Sequence, residues 1–158
     1  MEPIAERPYI AHPEYGVPPD DDNLVPWSWV RERFREEPNY WVSTTDPDGG
    51  THVRPVWGVF VDDRIHFGGG PRTRWSRNLA ANPRVSVHLE SGSQVVIAEG
   101  PVDRIEDAGD PRLPAIDDAY EAKYKMRHGP PIWVLRPEVV FAWTEFPNDA
   151  TRFRFEPE

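Results

Sequence analysis

Three arginines, Arg72, Arg74 and Arg77, fall directly after Gly68-Gly69-Gly70, and Arg54 precedes them on the neighbouring strand pair. Glycines let an anion come close to the backbone, and a helix start offers amides with no intrahelical acceptor. Guanidinium forks bind phosphate through paired hydrogen bonds. The chemistry on offer is therefore oxyanion binding, phosphate in particular. A solvated basic face would leave the same trace in sequence. The glycines do not follow the Gly-x-Gly-x-x-Gly spacing, and no strand-helix-strand unit surrounds them, so a dinucleotide fingerprint is rejected.

Other chemistries have less support. The chain has no cysteine, which removes disulfides, thiolate catalysis and cysteine-bound zinc. His12, His52, His66, His88 and His128 show no i, i+4 pair and no nearby carboxylate at ligand spacing, so no metal is expected. No Gly-x-Ser-x-Gly elbow is present. The acidic pairs Asp62-Asp63 and Asp117-Asp118 sit where turns or a helix surface would solvate them. What remains is chemistry that a bound ring carries itself, such as hydride transfer, which asks the protein for positioning and a dry stacking surface.

The elements that must position these residues follow from periodicity. Residues 1–25 hold five prolines and the run Asp20-Asp21-Asp22, predicting an extended arm ahead of a single domain over 26–158. Trp27, Val30 and Phe34 share one helical face, and Pro38 ends that helix. The period then drops to two. Residues 39–45 and 51–61 flank the turn Asp46-Pro47-Asp48-Gly49-Gly50, and Asp62-Asp63 turns into 64–68. Pro71 or Thr73 can start a short helix that Asn82-Pro83 must stop. Ser91-Gly92-Ser93 divides 84–104 into another hairpin, residues 114–127 read as a surface helix, and 132–143 as a strand broken at Pro137. The sum is a mainly β chain: a six-stranded antiparallel barrel with short peripheral helices.

At 158 residues the chain has room for one core. Its net charge of −9 repels nucleic acid and anionic membranes, so neither is an expected partner and any bound anion needs a local basic cluster. With no apolar run long enough for a signal peptide or a membrane span, a cytoplasmic protein is expected. Seven Trp, seven Phe and five Tyr supply rings for a core, a dimer contact or a stacking pocket.

The segments 48–57, 73–79 and 82–87, the last beginning Asn82-Pro83-Arg84-Val85, resemble the pyridoxamine 5′-phosphate oxidase-like family of FMN-binding split barrels, and within it the flavin/deazaflavin oxidoreductase branch. The resemblance implies a split-barrel homodimer with FMN or coenzyme F420 in interface grooves, acting on a small-molecule substrate. It places the phosphate on Arg54, Thr73 and Arg74, with Gly69 and Gly70 lining the approach; Trp75 stands in the cofactor site at the position of the family's lysine, whose phosphate contact Arg72 or Arg77 takes over. Gln94 becomes a ring or ribitol contact, and the backbone at Val56 and Trp57 the ring edge. The substrate-binding C-terminal pattern of the vitamin-oxidising members is not matched by residues 139–155, so pyridoxamine phosphate oxidation itself is not expected.

Overall fold

The computed structural model describes residues 2–10 and 12–158. Ten strands and three short α-helices occur among them: β1 (Ile4–Glu6), α1 (Trp27–Glu36), β2 (Tyr40–Thr45), β3 (Thr51–Val56), β4 (Gly58–Val61), β5 (Arg64–Gly68), α2 (Arg74–Ala81), β6 (Arg84–His88), β7 (Val95–Ile105), α3 (Leu113–Tyr124), β8 (Ile132–Leu135), β9 (Val139–Trp143) and β10 (Thr151–Arg154). All strand pairings are antiparallel. Among the described residues no helix is long and apolar enough to cross a membrane.

The expected six strands become ten. The larger half of the sheet runs β1-β10-β9-β7-β6-β2-β3, and β4, β5 and β8 form a second half that joins it through β7. Among the described residues strand pairing does not close the sheet on itself. Two of the extra strands arise where one predicted run serves both halves. Residues 51–61 read as one strand but break at Trp57, because Gly58 lies beneath the ring of Tyr40, where a Cβ would clash. Tyr124 Oη also hydrogen-bonds the Gly58 amide at 3.0 Å and lies 2.9 Å from its carbonyl oxygen. In the arm, β1 adds to the free edge of β10, and Arg7 donates to backbone carbonyls of Asp20, Asp22, Asn148 and Ala150.

The core follows from the alternation. Tyr40, Val42, Val87, Ala98, Val140 and Phe153 occupy the inner face of the larger half and are buried, with Val30 and Phe34 of α1 and Leu79 of α2 in the same cluster. A smaller cluster joins Val59, Ile105, Ile132 and Val134 of the second half to Ile116 and Tyr120 of α3. Burying such side chains contributes about 1.5–3 kcal/mol each. These two clusters hold α2 and α3 on the sheet halves, and with them the candidate site residues.

Candidate functional site

α2 is seated by one face, which decides where its arginines point. Trp75 packs on Phe67 with ring centroids 5.6 Å apart, and Asn78 Nδ2 donates to the buried Thr44 Oγ1 at 3.0 Å. Trp133 Nε1 donates to Ser76 Oγ at 3.3 Å. Thr73 caps the helix: its Oγ1 accepts from the Ser76 amide at 3.3 Å and donates to the Gly70 carbonyl at 2.9 Å. A Cβ on Gly69 would lie 2.6 Å from Trp75 Cζ2, so only glycine lets the turn lie this close to the helix. Arg72, Arg74 and Arg77 are consequently exposed, and the first amides of α2 face out of its end, as helix geometry requires.

β3 brings the other half of the cluster. It pairs with β2 alone among the described strands, so its second edge is open. Its register sets His52, Arg54 and Val56 opposite Thr44, Val42 and Tyr40. Those residues line the face on which α2 lies, so Arg54 projects to the same side as Arg74. His52 reports the combined field. Burial first, then the charges of Arg54 and Arg74, push its imidazole below its ordinary pKa. Among the described residues only Arg74 of the four arginines pairs with a carboxylate, Asp46 Oδ2 at 3.1 Å. Arg54 donates to the Val53 carbonyl at 2.7 Å.

Asp46 is part of the turn as well as of the cluster. Its Oδ1 accepts from the Asp48 and Gly50 amides, each at 2.9 Å. The Gly50 amide is the largest influence on its carboxyl; with Asp48 and Arg74 it holds the pKa low against the opposing effect of burial. The carboxylate is thus fixed to backbone and orients one side of the Arg74 guanidinium.

Two predicted residues fall elsewhere. Trp75 is only 6% exposed, so its side chain belongs to the core and braces the glycine turn. Gln94 is exposed at the β6–β7 hairpin, which follows His88. His88 pairs with Trp41, whereas Asp46 and Arg74 lie beyond the Thr45 end of β2. About 13 Å of strand separates those ends, four residues at roughly 3.3 Å each, so Gln94 lies away from Asp46 and Arg74, toward the end of β2 that Arg54 and Val56 flank.

Trp57 stands at the corner between β3 and β4, half exposed, with its indole stacked on Tyr124 at 4.6 Å and an interplanar angle of 3°. Tyr124 is held by Pro38 and Gly58, and Tyr120 Oη donates to the Trp57 carbonyl at 3.2 Å. Lys123 lies over the Tyr40 ring at 4.5 Å and donates to the Gly58 carbonyl at 2.8 Å and the Phe34 carbonyl at 3.2 Å. Burial lowers its pKa to about 8. Sequence reading missed Asp46, His52 and Tyr124. The i, i+2 spacing of His52 and Arg54 and the i, i+4 spacing of Tyr120 and Tyr124 were the available signals. Together these residues offer cations and open amides along β3 and α2, and a fixed aromatic surface at the corner where β3 ends.

No curated protein matches the sequence significantly. Among solved structures the chain is similar to HutZ, a heme storage protein from Vibrio cholerae, with TM-score 0.61, 16% identity, and coverage of 73% of this chain and 92% of that one. It is also similar to an F420 reductase, with TM-score 0.53, 22% identity and coverage of 69% and 94%. An FAD binding protein from Mycobacterium smegmatis gives TM-score 0.54, 17% identity and coverage of 84% and 99%. At these identities the likeness is one of fold. The family model for pyridoxamine 5′-phosphate oxidase matches residues 29–144, a stretch that holds β2 to β9 with α2 and α3. On that match, the chain belongs to the pyridoxamine 5′-phosphate oxidase family.

Proposed function

We propose that the chain is an oxidoreductase that holds FMN or coenzyme F420 by its phosphate at Arg54, Arg72, Thr73, Arg74 and Arg77, and works on a small conjugated or aromatic substrate. The observation that carries this reading is the convergence of β3 and the open end of α2. Arg54 and the α2 arginines lie on one side of the sheet, and three of the four have no carboxylate partner among the described residues. Such a donor set fits a phosphate monoester, whose oxygens accept several guanidinium and amide hydrogen bonds. Gly69 and Gly70 leave the approach clear, and the open edge of β3 at Val56 offers backbone groups to a ring edge. Trp57, with one face on Tyr124, presents the other to a planar molecule. When bound, the cofactor supplies the hydride chemistry; the residues bind, orient and exclude water.

The reading includes a homodimer. One row of residues crosses the outer face of the larger half, Pro55, Trp41, His88, Ile97 and Phe141. It is apolar and aromatic for a face that no helix or strand among the described residues covers, and Val53 beside it is 42% exposed. Pairing of two copies across this face would bury the row.

Titrating the purified protein with FMN and with F420, followed by absorption, tests the assignment. Saturable binding of one of them, weakened about tenfold or more by Arg54→Ala, is expected from the loss of a charged hydrogen bond. Binding of neither removes the reading. The alternative is a carrier that holds flavin, deazaflavin or haem without turnover. It is favoured by the commitment of Asp46 to Arg74 and two amides, which removes the carboxylate of the turn from proton transfer. Reduction of an enone or quinone by the loaded protein with reduced cofactor excludes the carrier.

A further inference from the structure

A second cluster of arginines lies away from the β3–α2 site, where β5 begins and β8 ends. Arg64, Arg112 and Arg136 line a hollow of about 280 Å³ together with Pro101, Val102 and Asp103. A wider hollow of about 430 Å³ lies alongside, bounded by Arg64, Arg136 and residues 155–158. Glu158 is common to both walls. Its carboxylate sits between two guanidinia: Oε1 accepts from Arg64 Nη2, and Oε2 lies 3.6 Å from Arg136 Nη1. Arg112 is already spent on Asp110 and Asp103. Among the described residues Glu158 is the only carboxylate paired with Arg64 or Arg136. Arg64 and Arg136 belong to the stretch that matches the family, whereas Glu158 lies outside it.

We propose that Arg64 and Arg136 form an oxyanion-binding site for a small carboxylate or phosphate, and that Glu158 is its internal competitor. The geometry is that of one planar carboxylate bridged by two guanidinia, which a carboxylate or phosphoryl group of a ligand reproduces with the same donors. The neighbouring hollow gives the rest of such a molecule room. Arg64, Arg136 and Glu158 are all partly exposed, and exposed ion pairs are weak, so the side chain of Glu158 is displaceable at ligand concentrations in the millimolar range. The nearby carboxylates Asp62, Glu138 and Glu156 disfavour polyanions and favour a ligand with one or two charges; Glu138 is itself paired with Arg84.

Protein-observed NMR on the full chain, titrated separately with sodium phosphate and sodium succinate at constant ionic strength, tests this. Saturable shifts at the amides of Arg64, Val102, Arg136 and Glu158 are expected; shifts confined to Gly70–Arg77 would report the other site. Response to one probe alone supports the site and identifies which chemistry it takes. Glu158→Gln should tighten binding about fivefold, the worth of an exposed ion pair, and Arg136→Ala should abolish the saturable shifts at Arg64 and Val102. The proposal is overturned if neither probe saturates these amides in the wild type or in Glu158→Gln, or if Arg136→Ala leaves the shifts intact.

Discussion

His66 makes the acid sensitivity of this fold calculable. It lies on β5 between Val59 and Val134, is 3% exposed, and its Nδ1 has no partner among the described residues. Burial pushes its pKa from an ordinary 6.5 down to about 4 against the opposing effect of the Val59 backbone; Arg112 and Arg64 push the same way as burial, while Asp103 opposes them. The unfolded chain therefore takes up a proton at a pH where the folded chain does not. Stability from this residue is fully present above about pH 6.5 and is lost as pH falls through about 4. The total is about 3 kcal/mol, of which about 2 kcal/mol goes between pH 7 and pH 5. His66→Leu removes the titration at a buried position flanked by Val59 and Val134 on the neighbouring strands. Urea unfolding of both proteins across that range measures the effect, because the carboxylates that also titrate are common to both and cancel in the difference. The stability of the wild type relative to His66→Leu should fall by about 2 kcal/mol from pH 7 to pH 5. Parallel curves would refute the burial argument.

At the phosphate site, Asp46→Asn retains an acceptor for the Asp48 and Gly50 amides but removes the charge beside Arg74, so cofactor affinity should rise about two- to fivefold in an absorption titration. Trp57→Ala should weaken cofactor or substrate binding about fivefold through the lost stacking surface, and Trp57→Phe should restore most of it, as read by the same titration and by KM. Lys123→Met removes one donor each from the Phe34 and Gly58 carbonyls, which keep the hydroxyls of Tyr40 and Tyr124 as partners, and should cost about 1 kcal/mol in urea unfolding. Ile97→Glu places a charge in the outer row of the sheet; light scattering should then report the mass of a single chain where the wild type shows twice that mass.

Much of the fold was legible because the relevant signals are local. Pro26 and Pro38 bracket α1, Thr73 and Asn82 bracket α2, and Ser91-Gly92-Ser93 marks the hairpin into β7. The misses depend on distant contacts. The break at Trp57 needs Tyr40 and Tyr124, the latter 66 residues from Gly58. β1 is three residues in a proline-rich arm, and its strand geometry comes from pairing with the edge of β10. In the candidate site, the exposure of Arg72, Arg74 and Arg77 followed from helix position, but the Asp46–Arg74 pair joins residues 28 apart. Trp75 was visible as a departure from the family pattern, while its burial depended on Phe67.

β7 carries a consequence for cooperativity. Its eleven residues pair with β6 and β9 in one half of the sheet and with β8 in the other. Neither half can lose β7 without giving up hydrogen bonds of its own, so the halves have no separate route to the unfolded state. Amide exchange should accordingly be slowest at the middle of β7, with the global unfolding free energy as its limit. A single transition is also the condition under which the acid sensitivity of one buried histidine becomes a property of the whole chain.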